Sequence, residues 1–276
     1  MEEKNSRLLS FLYGTPIGRK ILKILTMPAV SKLAGRVMDS RLSALVVPGF
    51  IKANGIDTSE FEKNSFISYN DFFTRKLVEG ARKNDTDENA LISPCDAKLT
   101  VFPITEGARF SIKRGTYTVK SLLRDEKLAK RFEGGTLWQF RLSVDDYHRY
   151  QYPADGVRSA ERSIKGIFHT VQPIALEHCR VYQENTRKYC LIKTAKFKTI
   201  VMMEVGAMMV GKIKNHHTQA KMVSRDEEKG YFEFGGSTII LLTQKSAAEP
   251  RSDISLHSMS GFETQVRRGE KITADK

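Results

Sequence analysis

Three short islands of this 276-residue chain carry side chains that could do chemistry. The last in chain order says most. Phe232-Glu233-Phe234-Gly235-Gly236-Ser237-Thr238-Ile239-Ile240-Leu241-Leu242 reads as a strand interrupted by two glycines, with a serine directly after them. Glycine inside a strand marks a bulge, a bend or a close backbone approach. A serine hydroxyl beside such a flexible peptide can attack the carbonyl before it. That attack would break the Gly236-Ser237 bond and leave Ser237 at a new chain end. The first island, Ser93-Pro94-Cys95-Asp96-Ala97-Lys98, is a turn that ends in an acid. The second, Val144 to Pro153, contains His148. Together they supply Asp, His and Ser, but a triad is recognised by geometry and not by chain order. Taken alone, the plainer reading is a turn-capping aspartate, a core histidine and a strand serine.

The surrounding elements set the fold expectation. Ile17, Ile21, Ile24 and Leu25 recur at helical spacing between Pro16 and Pro28, with Arg19, Lys20 and Lys23 as a basic face. Leu33, Val37 and Met38 continue the pattern. Ser68 to Leu77 reads as a capped short helix carrying aromatics, and Glu79 to Glu88 as a polar surface loop. Beyond it, apolar segments alternate with Gly, Pro and Asp turns at Leu91–Phe102, Thr136–Val144, Gly166–Pro173, Tyr189–Ile192 and Thr199–Ile213, which is strand-like spacing. Tyr117 to Phe132 reads as an intervening helix, and Asp253 to Lys276 as returning edge strands. The expected class is α+β: N-terminal amphipathic helices, then a curled antiparallel β body of barrel or sandwich type. The expected division is a helical membrane-facing region over 1–66 and a β-rich domain over 67–276.

Charge narrows the partners. Lys and Arg number 45 against 32 Asp and Glu, a net +13 that favours an anionic partner. No zinc-finger, basic-zipper or RNA-binding signature is present, so an anionic membrane surface is expected rather than nucleic acid. No apolar run approaches the roughly 20 residues that span a bilayer. Basic amphipathic helices instead lie in the headgroup region, or pack on the protein's own core. Cys95, Cys179 and Cys190 form no C-x-x-C pair, and three cysteines argue against a disulfide framework and for a reducing cytoplasm. His216-His217 would point to opposite faces of a strand. Asp145, Asp146 and His148 lack further ligands, so no metal is expected.

The islands in combination resemble the phosphatidylserine decarboxylase family over nearly the whole chain. Asn70-Asp71-Phe72-Phe73-Thr74-Arg75 is similar to its N-x-F-F-T-R segment, Ser93-Pro94-Cys95-Asp96 to its S-P-x-D turn, and Asp146-Tyr147-His148-Arg149 to its D-Y-H-R element. Asn185-Thr186-Arg187, Val205-Gly206-Ala207-Met208-Met209-Val210-Gly211 and Gly236-Ser237-Thr238 match its N-x-R, V-G-A-x-x-V-G and G-S-T elements in the same order. The resemblance implies a covalent pyruvoyl group made from Ser237 by self-cleavage, giving a β chain, 1–236, and an α chain, 237–276. It implies a Schiff base with phosphatidylserine and release of carbon dioxide to leave phosphatidylethanolamine, by a peripheral enzyme at the cytoplasmic face of the cell membrane. The two chains stay associated, and a homodimer is expected. In this scheme Asp96 orients and charge-stabilises the imidazole. His148 activates Ser237 and later protonates the carbanion, because a histidine titrates near neutral pH.

Two positions depart from the pattern. Relatives often carry a second histidine three residues after the first, credited with self-cleavage; here Gln151 stands there, and an amide cannot act as a base. Either His148 serves both steps or another residue substitutes, with His169 the best reserve. Ala97 stands where Gly is frequent, so the local turn is expected to differ. Two rival readings follow: a lipid-binding relative that never processes, and an ordinary serine hydrolase, which would lack the G-x-S-x-G elbow.

Overall fold

The computed structural model describes residues 15, 35–113, 115–166, 185–206, 212–234 and 237–275. The helix expected around Ile17–Leu25, His169, Cys179, Met208, Met209, Gly235 and Gly236 lie outside the described residues.

Helices come first. A 3-10 turn over Arg41–Val46 leads into α1 (Val47–Asn54), which has Pro48 in its first turn and stops at Gly55 in the left-handed conformation, φ 60. Proline presets the helical φ at the start, and glycine reaches the left-handed stop without a steric cost. The expected aromatic helix is α2 (Tyr69–Phe73). The Ser68 hydroxyl accepts from the Asp71 backbone N–H at 3.0 Å, closing its first turn.

The β body is antiparallel at every described pairing. Its first half comprises β1 (Ala97–Pro103), β2 (Phe110–Ile112), β3 (Gly115–Tyr117), β4 (Thr136–Leu142), β5 (Arg149–Gln151), β6 (Gly156–Arg158) and β7 (Arg162–Ile164). The second half comprises β8 (Arg187–Lys193), β9 (Thr199–Val205), β10 (Ile213–Asn215), β11 (Lys221–Val223), β12 (Glu228–Phe232), β13 (Ser237–Thr243) and β14 (Thr264–Val266). The large sheet runs β11-β6-β8-β9-β13-β4-β1-β14, with β7 also on β8; β10-β12-β5 form a small sheet and β2-β3 a hairpin. The large sheet ends in two different strands, so among the described residues the body curls without closing into a barrel.

Two expectations need correction. The helix foreseen over Tyr117–Phe132 is two helices, α3 (Val119–Leu123) and α4 (Glu126–Lys130). Arg124 turns left-handed at φ 48, and Asp125 starts α4 by accepting from the Leu128 N–H at 2.9 Å. A side-chain cap in mid-segment begins a new helix instead of continuing the old one. The C-terminal stretch is not strand throughout. It opens with α5 (Ser252–Met259), and only then does β14 join β1 at the sheet edge.

β13 is the best-anchored element, buried at all seven positions. Ile239 and Leu241 pack with Trp138 and Phe140 on one face. Ile240 and Leu242 pack with Leu137, Val201 and Leu122 on the other. A strand covered on both faces requires a continuous apolar run, and each such side chain contributes about 1.5–3 kcal/mol of burial. The strand that starts at Ser237 is therefore the fixed reference for everything near it.

Candidate active site

Strand register gathers the three islands at one end of the large sheet. Ser237 pairs with Leu142, the last residue of β4. Lys98 pairs with Arg141 one position back, which puts Asp96 just beyond the start of β1 on the other side of β4. The chain leaves β4 through Ser143 and turns over Val144–Tyr147. It enters β5 immediately after His148, whose carbonyl accepts from the Phe232 N–H at 3.0 Å. Phe232 ends β12, three residues before Gly235. His148 and the strand leading to the glycines are thus bonded to each other, and Ser237 begins the next strand. Alternation along β13 puts Ser237 on the face of Ile239 and Leu241, the face that also packs Tyr150 and Phe232 of the small sheet.

His148 is fully buried. Its Nε2 lies 2.9 Å from the Ser143 carbonyl oxygen. A carbonyl can only accept, so Nε2 carries the proton and Nδ1 the lone pair. Among the described residues Nδ1 has no hydrogen-bond partner. The ring stacks on Phe73 of α2, centroids 3.9 Å apart at 26°. Burial lowers its pKa to about 3, and the charges of Arg75 and Lys113 push the same way, against the bond it donates to the Ser143 carbonyl. The expectation that this histidine titrates near neutral pH is therefore corrected. The imidazole is a neutral acceptor in this setting.

Asp96 is also buried, and Arg82 holds it. The Arg82 Nε lies 3.1 and 3.0 Å from its two oxygens and Nη2 2.8 Å from Oδ2, while Nη1 reaches Glu60 at 2.8 Å. The Arg268 backbone N–H donates to Asp96 Oδ1 at 2.8 Å. The imidazole is oriented by the Ser143 carbonyl, while the Asp96 carboxylate is engaged by the arginine fork. Asp146, in the turn before His148, accepts from the Ser143 N–H at 2.6 Å; burial, with Asp145 and Asp96 adding repulsion, raises its pKa to about 6.

The N-x-F-F-T-R segment braces this end. The Asn70 amide oxygen accepts from the Phe234 N–H at 3.1 Å, and Tyr69 and Phe73 meet the Phe234 ring edge-on at 5.1 and 5.5 Å. Arg75 lies over Phe61 and Phe72 and donates to the Asp145 carbonyl at 3.1 Å, fixing the turn that carries His148. A buried ion pair joins the two sheets: Lys229 Nζ to Glu204 Oε1 at 2.7 Å, both side chains fully covered. Lys229 sits where β12 slips register against β5, between Glu228 and Gly230. Such a bulge re-aims a side chain, here off the small sheet and into β9. Glu204 pairs with Ile239 on β13, two residues after Ser237.

The departures from the family pattern have definite places. The Gln151 amide donates to Asn84 Oδ1 at 2.6 Å and so is occupied away from His148. Arg187, fully buried, donates to the Leu122 and Ser121 carbonyls at 2.8 and 2.7 Å, capping α3, and Asn185 donates to the Gly206 carbonyl at 2.9 Å. Both residues brace the end of β9. Residue type alone did not disclose Arg82, Phe73 or Ser143. Arg82 lay in a stretch with the look of a surface loop, and its only signal is an arginine preceding a buried acid by 14 positions. Among the described residues no group of three or more His, Cys, Asp or Glu side chains could hold a metal ion.

A family model described as phosphatidylserine decarboxylase matches residues 69–274. Phosphatidylserine decarboxylase proenzyme 2 of Clostridium acetobutylicum is 43% identical over 270 residues, covering 98% of this chain and 92% of the relative. The phosphatidylserine decarboxylase proenzymes of Ruminiclostridium cellulolyticum and Fusobacterium nucleatum are 40% and 37% identical, covering 96% and 97% of this chain and 90% and 91% of their own lengths.

Proposed function

This chain belongs to the phosphatidylserine decarboxylase family, and we propose that it is a self-processing, pyruvoyl-dependent carboxy-lyase that turns phosphatidylserine into phosphatidylethanolamine. The observation that supports the reading is the His148 Nδ1, buried at the sheet end where β13 begins and without a hydrogen-bond partner among the described residues.

Self-cleavage needs a proton moved over a short path. Ser237 Oγ attacks the Gly236 carbonyl, the amide becomes an ester, and the proton lost from Oγ is needed by the departing nitrogen. A base that stored this proton would hinder the second half of the step. His148, held neutral with a pKa near 3, relays it instead. Loss of the Ser237 Cα proton to the neutral imidazole, with cleavage of the Cβ–O ester bond, then frees the chain ending in the Gly236 carboxylate and leaves dehydroalanine at 237, whose imine tautomer water converts to a pyruvoyl group with loss of ammonia. Asp96 lies at the same end of the sheet, held in place by the Arg82 guanidinium and the Arg268 N–H. Gln151 takes no part as a base, so one histidine serves.

The residues present fit a ketone generated in place, because the acceptor nitrogen has no hydrogen-bond partner among the described residues and the strand is buried from Ser237 onward. Once formed, the pyruvoyl group supplies a carbonyl for the substrate amine and an electron sink for loss of carbon dioxide. Phe73, Tyr69 and Phe234 form an aromatic wall that keeps water from the reacting end. In this scheme the same imidazole passes a proton to the carbon that carbon dioxide leaves.

Approach to the lipid is proposed through the N-terminal region. Leu42 and Leu45 are each 78% exposed and Ile67 72%, and Arg36, Arg41 and Lys52 are exposed around them. The Tyr69 N–H donates to Ser43 at 2.8 Å, so this apolar and basic face is joined to the helix that carries Phe73. No helix among the described residues is long and apolar enough to cross a membrane. The chemistry is that of a peripheral enzyme on an anionic, cytoplasmic leaflet.

Denaturing mass analysis tests the scheme. The wild-type chain should split into two pieces and bind an amine substrate covalently after borohydride reduction, whereas Ser237→Ala should stay whole at 31.3 kDa and inactive. A wild-type chain that never splits yet decarboxylates at full rate would refute it.

A further inference from the structure

One short helix holds both the base and the chain that leads to the bond it would help to break. α2 carries Asn70 and Phe73 three positions apart, and so on one side of the helix. Phe73 is fully buried. Its ring stacks on the His148 imidazole, centroids 3.9 Å apart, and meets the Phe234 ring edge-on at 5.5 Å. Asn70 takes hold of the same Phe234 by its backbone. Its Oδ1 accepts from the Phe234 N–H at 3.1 Å, while its Nδ2 donates to Asp39 Oδ1 at 2.8 Å, which fixes the way the amide points. The residues that follow α2 grip the chain on either side of His148. Arg75 donates to the Asp145 carbonyl at 3.1 Å, and Arg149 Nε donates to the Thr74 carbonyl at 2.9 Å. Only Gly235 and Gly236 separate Phe234 from Ser237, which β13 pairs with Leu142. The carbonyl to be attacked thus belongs to a residue two positions beyond the one that Asn70 holds.

Resting on the self-cleavage reading above, we propose that Asn70 and Phe73 are positioning residues for the break at Gly236-Ser237, Asn70 aligning the chain to be cut and Phe73 the imidazole that relays its proton. A misplacement of about 1 Å between reacting groups costs about a hundredfold in rate, so a helix that holds both has a direct hold on that step. The two roles differ in how long they last. Once the bond is broken, Phe234 is no longer joined to residue 237, and the Asn70 bond no longer bears on it. Phe73 still holds the ring that passes a proton during decarboxylation. Asn70 therefore serves maturation alone, whereas Phe73 serves both reactions.

Pulse-labelled cell-free translation of the full chain gives the splitting rate. Decarboxylation of phosphatidylserine in mixed micelles by the fully split fraction gives kcat. Asn70→Leu, similar in size but without the acceptor, should slow splitting about tenfold or more and leave kcat of the split enzyme within about twofold of wild type. Phe73→Leu should slow both reactions about tenfold or more. Exchanging the pair, Asp39→Asn with Asn70→Asp, keeps an acceptor for the Phe234 N–H and a donor between the two side chains. It should restore splitting to within about threefold of wild type. Phe50→Ala controls for lost packing: Phe50 meets Tyr69 and Phe72 edge-on at 5.4 and 5.8 Å, with no ring contact to His148 or Phe234 among the described residues. It should split within about threefold of the wild-type rate. Wild-type splitting in Asn70→Leu, an equal loss of splitting and kcat in that variant, an exchanged pair no faster than Asn70→Leu, or a Phe50→Ala chain as slow as Phe73→Leu overturns the proposal. If Asn70→Leu fails to fold, Asn70→Ser is read by the same two rates. A wild-type chain that never splits would instead sink the parent reading, a separate result.

Discussion

Replacing Lys229 with methionine would leave Glu204 fully covered and without its cation. The pair lies at 2.7 Å with neither side chain exposed, and the remaining support for Glu204 is the Asn215 amide, donating at 3.1 Å. Removing one member of such a pair costs about 3–5 kcal/mol, because a stranded charge must stay desolvated or take up a proton. Burial already raises the Glu204 pKa while Lys229 opposes that rise, so Lys229→Met pushes it further up. The destabilisation should then be largest at neutral pH and shrink as pH falls and the carboxyl protonates. Urea unfolding in a Ser237→Ala background, which keeps the chain in one piece, gives the loss from the midpoint at unchanged slope. Adding Glu204→Gln should return at least about half of it, since the glutamine needs no cation and still accepts from Asn215. Splitting should also slow in Lys229→Met, because this pair fixes β12 against β9 on either side of Ser237. A loss below about 1 kcal/mol, or a double variant no better than the single one, would refute the reasoning.

Two further outcomes follow. His148 falls from an unfolded pKa of 6.5 to about 3, so its contribution is complete above pH 6.5 and is lost as pH drops toward 3, about 5 kcal/mol at the limit. Asp146, raised to about 6, works in the opposite direction below that pH. His148→Phe should therefore remove the histidine's part of the acid sensitivity, seen as converging urea midpoints for variant and wild type on acidification; parallel curves would contradict it. Leu42→Glu with Leu45→Glu should abolish binding to anionic vesicles while changing unfolding stability by less than about 0.5 kcal/mol, since both side chains are exposed; retained sedimentation with vesicles would count against the docking face.

What the amino-acid order disclosed, and what it hid, follows from the range of the interactions. The apolar run from Ile239 to Leu242 and the glycine pair before it are local signals, so the central strand and its starting serine were legible. The Ser68 cap was legible for the same reason. His148 was legible as a residue but not as a neutral acceptor. Its state depends on Phe73 and Arg75, more than seventy positions away, and on a carbonyl in its own turn. Arg82 was hidden because an ion pair across a loop has no period. Lys229 was hidden because a one-residue slip between strands leaves no mark on composition. The break at Arg124 was readable in principle, since Asp125 is a good cap. The C-terminal helix was not, because Leu256 and Met259 face outward and give it no amphipathic stripe toward the core.

β13 lies between β9 and β4, with five register pairs on one side and seven on the other. The cut proposed at its first residue would therefore fall where the smaller fragment is already threaded through the middle of the larger one. Neither piece could drift away without dismantling the whole sheet, so severance would act as a chemical event and not a mechanical one. A protein so arranged gains a reactive terminus in its interior while its outline, and its resistance to unfolding, stay nearly what they were before the bond broke.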